Sequence, residues 1–125
     1  EQELIPAAQE LGFGIMGWSA MGRGVLTGKY RNATPPDSRG ASVHLAGFVA
    51  PYLNDDAARV VNAVATAAAG LERSPLEVAL AWARGSDGID CSIVGARNTH
   101  QLRDILAAAD LQLETQIRHV FNEVS

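Results

Sequence analysis

The sequence has little of several features that mark whole classes of protein. It holds one cysteine, Cys91, among 125 residues, so no internal disulfide can form and a reducing cytoplasm is the expected compartment. Aromatic residues make up only 6% of the chain. No apolar run reaches the roughly 20 residues that a membrane helix needs. No basic segment followed by an apolar one is visible, so we expect neither a signal peptide nor a membrane partner.

The chain also has no excess of positive charge. Ten lysines and arginines stand against 14 acidic residues, for a net charge of −4, and such a balance gives no basic field to attract nucleic acid. With 47% hydrophobic and 19% charged residues the composition is that of an ordinary globular protein. The first residue is Glu1 rather than a methionine, which indicates a fragment or a processed chain.

The spacing of apolar residues predicts a mixed α/β structure. Glycine after residue 11 closes a first helix, Asn54 or Asp55 caps a long one, and Ser74 to Glu77 forms a capping box with proline at the first helical position. The predicted order is helix (4–11), strand (13–19), long loop (20–51), helix (55–71), helix (75–82), strand (90–94), helix (99–109) and helix (117–124). Strands that alternate with helices indicate a parallel sheet.

Two strands cannot close a barrel or form a sheet with two covered faces. Both predicted strands are nonetheless apolar along their length, as strands covered on both faces are. We therefore interpret the chain as an arc cut from a larger α/β structure.

The loop after the first predicted strand has the chemistry of a phosphate cradle. Gly22, Gly24 and Gly28 expose backbone N–H groups, and Arg23 and Lys29 add positive charge. A Walker A loop is excluded, because it would need glycine at position 23 and serine or threonine at position 30. The G-x-G-x-x-G string of residues 12–17 follows a helix and runs along a strand, whereas the dinucleotide motif needs a strand and then a helix.

The loop after the second predicted strand offers a further anion site. Arg97 lies beside Asn98, which caps the next helix, and a helix N-terminus next to an arginine suits a doubly charged phosphate. This pattern does not name the anion. The alternative is that the glycines only make turns and the cations are solvated.

With both loops laid out, the chain resembles the aldo-keto reductase family, in particular its bacterial branch and the related potassium-channel β subunits. WSAMGRGVLTGKY (residues 18–30) is similar to the family segment after the seventh barrel strand, and residues 35–39 resemble the Pro-Pro-x-x-Arg stretch that follows. Residues 74–82 resemble its "sp-x-q-v-ALaW" helix, and residues 93–102 the loop and helix after the eighth strand. The resemblance covers essentially the whole chain and implies the C-terminal portion of a (β/α)8 TIM barrel, about its last two strands and their helices.

The resemblance also implies an NADP(H) site. Trp18 would stack on the nicotinamide, and Lys29 and Arg39 would belong to a belt across the pyrophosphate. Arg97 and Gln101 would contact the 2′-phosphate end of the adenosine, which favours NADP over NAD. The remaining expected cofactor-binding positions are Ser19, Met21, Gly22 and Arg23 at the phosphates, with Gly95 and Asp104 around the second loop. Asp104 stands where the family usually has glutamate.

Three departures from the family pattern affect the expected function. Ala20 replaces the usual proline, and Ile105 replaces an asparagine that commonly bonds adenine. The catalytic Asp, Tyr, Lys and His lie in the family's first half, and no residue here matches them, so we expect no catalytic residue in this chain. We also expect no metal site, because the three histidines show no metal-ligand spacing with each other or with Cys91. The full-length enzyme would reduce an aldehyde or ketone, whereas this segment alone would be inactive.

Two alternatives to that function stay open. The chain could be a catalytically inactive truncated barrel that acts as a binding or oligomerisation module, self-associating through exposed barrel edges. It could also be a phosphate-binding protein for a different ligand.

Some residues could be given roles other than those that the family implies. Tyr30, Lys29 and Asp37 could form a local catalytic set, which we disfavour because adjacent loop residues rarely converge on one point. Cys91 and Trp82 are predicted to be core residues. His44 is predicted to be solvated and His119 to lie on the exposed side of the last helix, whereas His100 lies in the first turn of a helix, where a cation is disfavoured.

Overall fold

A computed structural model describes residues 2–125 and gives a helical layer beside a two-stranded parallel sheet. Short 3-10 turns occupy the long loop at Gly22–Thr27, Arg39–Ala41 and Ala50–Tyr52. The regular elements are α1 (Leu4–Leu11), β1 (Met16–Gly17), α2 (Ala46–Val49), α3 (Asp55–Gly70), α4 (Pro75–Arg84), β2 (Cys91–Ser92), α5 (Thr99–Ala107) and α6 (Thr115–Val124).

The two strands pair in parallel, as their alternation with helices predicts. Met16 lies opposite Cys91 and Gly17 opposite Ser92. Asp90 strengthens the start of the ladder, because its carboxylate accepts a hydrogen bond from the Ile15 N–H at 2.6 Å. The strands are much shorter than the predicted 13–19 and 90–94, since each has only one neighbour within the described residues.

One face of the sheet is open within residues 2–125, as expected for two strands that cannot form a sheet with two covered faces by themselves. Alternate side chains of a strand share a face, and those on the open face are Met16 and Trp18 of one strand and Cys91 and Ile93 of the other. Met16 is 67% exposed and Trp18 is 72% exposed. Cys91 is also exposed, which corrects its predicted place in the core. The physical reason is that α4 packs against β2, while the exposure of these side chains shows that no element of residues 2–125 covers the other face.

The core lies between the helices. Val64 and Ala68 of α3 meet Val78 and Ala81 of α4, with Phe121 of α6 closing the cluster. On its other side α4 packs Leu80 against Ile105 and Ala108. The prediction that α4 is packed on two faces is therefore confirmed, and Trp82 packs partly buried against the first cluster.

Side-chain caps begin the two central helices where the sequence predicts them. The Asn54 side chain accepts a hydrogen bond from the Ala57 N–H at 2.8 Å, which begins α3. At the start of α4, Ser74 and Glu77 exchange both bonds of a capping box. Each such cap is worth roughly 1 kcal/mol to helix stability.

The Glu77 carboxylate is almost fully buried at the start of α4. It accepts hydrogen bonds from the Ser74 N–H at 2.8 Å, from the Ser74 hydroxyl and from Arg73. The Ser74 backbone bond is the main cause that lowers the pKa of Glu77; burial opposes it, and the Ser74 hydroxyl and Arg73 add to the lowering.

The predicted inner stripe of α5 is partly wrong. Ile105 is buried as expected, but Leu102 and Leu106 are 46% and 60% exposed, and Ala108 rather than Ala109 joins the core. Compared with the predicted orientation, α5 is rotated about its axis so that Gln101 faces the rest of the protein. This orientation turns the polar side chain of Gln101 inward, which the spacing of apolar residues could not predict.

Candidate functional site

The loops that follow the two strands enclose a cleft of about 470 Å³. This is where functional residues of parallel α/β folds collect, because the carboxyl ends of parallel strands meet at one edge. Its lining comes from three places in the chain. The lining residues are Trp18, Ser19, Ala20, Met21, Arg23, Gly24, Thr27, Lys29, Arg39, Leu76, Ile93, Val94, Gly95, Arg97, Gln101 and Ile105.

Nine of the eleven residues that the resemblance singles out line this cleft. The two that do not are Gly22 and Asp104. Gly22 adopts a left-handed backbone (φ 53°) at the start of the 3-10 turn Gly22–Thr27. Asp104 lies 3.6 Å from the His100 Nε2 on the outer side of α5.

Some lining residues were not predicted from the sequence. Thr27 supports the first loop, because its hydroxyl donates to the Gly24 carbonyl at 2.7 Å. Leu76 reaches the cleft from the first turn of α4. The threonine lies inside the glycine-rich run and so had a sequence signal, whereas Leu76 had none, because only the packing of α4 brings it there.

Positive charge is concentrated in the cleft. Arg23, Lys29, Arg39 and Arg97 all line it, and no aspartate or glutamate of residues 2–125 does. The whole chain is acidic, with a net charge of −4, so this concentration is a local feature. Four cations around one concave surface favour an anion with several negative charges.

The first loop owes its shape to left-handed backbone conformations. Ser19 and Arg23 have φ of 62° and 57°, and such conformations cost a non-glycine residue roughly 1–2 kcal/mol. Gly24 has φ 93°, and a Cβ there would lie 3.1 Å from the Lys29 Nζ. The positive φ is what favours glycine at position 24; a side chain there would also require the end of the lysine to shift by a few tenths of an ångström.

The second loop is held at the start of α5. Asn98 caps this helix by accepting from the Gln101 N–H at 2.9 Å. The Gln101 side chain in turn accepts from the Arg97 N–H at 2.9 Å. Arg97 also crosses to the first loop, because its Nη1 donates to the Asp37 carbonyl at 3.1 Å. The two loops are thus joined by a guanidinium that borders the cleft.

Tyr30 turns away from the cleft. Its hydroxyl accepts a hydrogen bond from the Gly40 N–H at 3.1 Å. Burial raises the pKa of the Tyr30 phenol, but bonds with Ser38 and Gly40 and the charges of Lys29 and Arg39 together lower it below its usual value. Neither Tyr30 nor Asp37 lines the cleft, so the structure does not assemble the local catalytic set that we disfavoured.

The tryptophans and histidines have distinct surroundings. Trp18 is exposed at the cleft, while Trp82 is partly buried and donates its Nε1–H to the Asn122 side chain at 3.1 Å. The histidines are exposed, and His119 lies 3.2 Å from Glu123. Within residues 2–125 no group of three or more potential metal-ligating side chains comes together.

Comparison with known proteins decides the family. The family model described as "Aldo/keto reductase family" matches residues 1–123. The chain belongs to the aldo/keto reductase family. The resemblance read from the sequence motifs is therefore confirmed, and the family implies a (β/α)8 barrel.

The chain is also similar to several curated proteins. It is 33% identical over 112 residues to a "Probable voltage-gated potassium channel subunit beta" from Oryza sativa subsp. japonica, covering 89% of this chain and 34% of that protein. A protein of the same description from Arabidopsis thaliana is 32% identical over 112 residues, covering 89% of the chain and 34% of that protein. The "Uncharacterized oxidoreductase YrpG" of Bacillus subtilis is 27% identical over 124 residues, covering 99% of the chain and 36% of that protein.

This aldo/keto reductase chain spans about a third of the length of these relatives. Its helix-rich structure with one pair of parallel strands is consistent with a partial barrel. None of the helices described in residues 2–125 is long and apolar enough to cross a membrane.

Proposed function

We propose that this chain is the NADP(H)-binding C-terminal segment of an aldo-keto reductase whose whole form reduces aldehydes or ketones. The observation that carries the proposal is the convergence of the four cations, Arg23, Lys29, Arg39 and Arg97, on one cleft at the strand ends. NADP(H) has three phosphate groups, and such a cluster suits them better than it suits a singly charged ligand.

The cleft residues fit the parts of this cofactor. Trp18, exposed beside the cleft, offers a free aromatic face for the nicotinamide. Backbone N–H groups of the glycine-rich loop, with Lys29 and Arg39, would hold the pyrophosphate. Arg97, fixed at the start of α5, would pair with the 2′-phosphate, which NADH lacks.

The cofactor, when bound, supplies a hydride from C4 of the nicotinamide ring. The residues of this chain would bind and orient it and exclude water from one of its faces. The acid that protonates the substrate oxygen would come from the part of the barrel outside this chain. A small carbonyl compound is thus the proposed substrate of the whole enzyme, with the cytoplasm, a reducing compartment, as its proposed location.

Titration of the 125-residue chain with NADPH and NADH, followed by cofactor fluorescence, tests the proposal. We expect NADPH to bind about tenfold more tightly or better, since a charged hydrogen bond to the 2′-phosphate contributes roughly 1.5–3 kcal/mol. Equal affinity for the two cofactors, with displacement of both by inorganic phosphate, would support a general phosphate-binding protein instead. Absence of binding would reject the proposal.

A second candidate function rests on the open face of the sheet. Met16, Trp18 and Ile93 are exposed there, and an apolar surface of this kind favours association with another chain. In that case the chain is a catalytically inactive truncated barrel that serves as a binding or oligomerisation module. It would form oligomers whether or not NADPH binds.

A further inference from the structure

Arg23 is the most heavily engaged cation of the cleft. Its Nη1 donates to the Phe48 carbonyl at 2.6 Å. Its guanidinium carbon also lies 5.4 Å from the centre of the Phe48 ring and 5.1 Å from that of Tyr52. A planar guanidinium between two aromatic rings gains cation–π attraction from both. Its contacts are therefore directed at residues 48–52.

The segment that Arg23 contacts is otherwise attached chiefly at three points: the buried Ser38, the buried Val49, and Gly40, whose N–H donates to the Tyr30 hydroxyl. We call residues 38–52 the strap. Val49 is its one fully buried apolar side chain, whereas Val43 is 94% exposed and Phe48 is 55% exposed. Such a segment is held by a small number of contacts and opens easily when one is lost.

The strap carries one of the cleft cations. Arg39 lines the cleft from the 3-10 turn Arg39–Ala41, and α2 packs directly against this turn. A contact that fixes α2 therefore also fixes the position of Arg39. The second contact on this turn is the hydrogen bond from the Gly40 N–H to Tyr30.

Arg23 has a left-handed backbone conformation that favours glycine, which indicates that the arginine side chain has a specific role at this position. Its φ of 57° would suit glycine without strain, yet an arginine occupies the position. The αL backbone directs this side chain from the glycine-rich loop to the strap.

We infer that Arg23 is a positioning residue that anchors the strap across the cleft: its charge adds to the positive field of the cleft, but it acts on the cofactor through Arg39 and not by pairing with a phosphate. This inference rests on the proposed NADP(H) site for its functional consequence. The anchoring itself is a property of the chain without ligand, so the two can be tested separately.

Arg23→Lys is the informative change, because it keeps the charge and the Cβ but removes the planar group that stacks on both rings. In the unliganded chain we expect amide hydrogen exchange of residues 46–53 to become at least about fivefold faster, while exchange in α3 and α4 stays unchanged. With NADPH bound, the dissociation rate should rise about tenfold, the effect of losing roughly one charged hydrogen bond. The ratio of NADPH to NADH affinity should stay as it is.

Tyr52→Leu and Arg103→Lys complete the experiment. Tyr52→Leu should reproduce the faster exchange, and in combination with Arg23→Lys it should add less than the sum of the two single effects. Arg103→Lys, a change of an exposed arginine on α5, should alter neither readout. Unchanged exchange of residues 46–53 in Arg23→Lys would overturn the inference, whether or not the chain binds NADPH. If exchange rises but no variant binds NADPH, the anchor stands and the proposed function fails.

Discussion

Arg97 makes two contacts that suit it to distinguish NADPH from NADH. Its backbone N–H is fixed by Gln101, and its guanidinium reaches the Asp37 carbonyl of the facing loop. A guanidinium has five donors, so it can keep this carbonyl and still bind a phosphate in a bidentate manner.

Replacement of Arg97 by glutamine should therefore change cofactor preference. We expect Arg97→Gln to weaken NADPH binding about 10- to 100-fold, from the loss of roughly 1.5–3 kcal/mol, and to leave NADH binding nearly unchanged. Fluorescence titration measures both, with Arg103→Gln, on the helix that follows Arg97, as the control. An equal loss for NADH and NADPH would mean that Arg97 only joins the loops.

Glu77 gives a prediction for the dependence of stability on pH. Its pKa in the folded chain is lower than the reference value of 4.5, so the unfolded state binds more protons as the pH falls. Its stabilisation is thus complete above about pH 4.5 and is lost as the pH falls through the folded pKa.

Urea unfolding of Glu77→Gln at several pH values tests this. We expect the variant to be about 1–2 kcal/mol less stable than the parent chain near neutral pH. The difference should shrink toward zero as the pH falls well below 4.5. Glu10→Gln on the exposed side of α1 serves as the control and should show little effect at any pH. A loss from Glu77→Gln that is the same at all pH values would disprove the ionic origin of the stabilisation.

At the scale of elements, α4 connects the two parts of the core. Val78 is fully buried against α3 and α6, and Leu80 on the other side meets Ile105 of α5. Packing of α4 thus positions both α5, which carries Arg97 at its start, and Leu76, which lines the cleft.

Truncation of Val78 should destabilise the whole chain. We expect Val78→Ala to lower the free energy of unfolding by about 1–3 kcal/mol, because it removes buried methyl groups and leaves a cavity. Val43→Ala, at a position that is 94% exposed, should change it by less than about 0.5 kcal/mol. Chemical unfolding measures both variants, and similar losses for the two would show that α4 does not organise the core.

The helix ends could be predicted from the sequence better than the helix faces. The ends of α1, α3 and α4 could be predicted, because Gly12, Asn54 and the Ser74–Glu77 box are local signals that short-range bonds satisfy. The face of α5 could not, because Leu102 and Leu106 fit the helical period as well as Gln101 and Ala108 do. Which face turns inward depends on α4, whose position the local spacing does not encode.

The candidate site, too, could be predicted from the sequence only in part. The glycines and cations of both loops were visible as a phosphate-binding pattern, and the family resemblance gave each a role that stays a prediction. The contacts of Arg23 with Phe48 and Tyr52 were not visible, because they join residues that only the folded loop brings together.

At the scale of the whole molecule, the sheet formed within residues 2–125 lacks cover on one face. Met16 and Trp18 are largely exposed on that face, and their apolar surface would gain free energy by leaving water. The chain as it stands should therefore associate with itself.

Sedimentation velocity over a range of concentrations tests this association. We expect the parent chain to form dimers or larger species, and Met16→Lys to shift it toward the monomer, because a buried unpaired lysine is costly. Val43→Lys, on the strap rather than on the sheet, should leave the association unchanged. A parent chain that stays monomeric at high concentration would contradict this account of the open face.

The central claim is that the cleft between the two loops binds NADP(H), and the two tryptophans allow a direct test by NMR. In a titration of the ¹⁵N-labelled chain with NADPH, we expect the indole signal of Trp18 and the amides of residues 19–29 and 95–101 to shift. The indole signal of Trp82, bonded to Asn122 on the far side of α4, should stay in place. Shifts centred on Trp82, or no shifts at saturating NADPH, would contradict the claim.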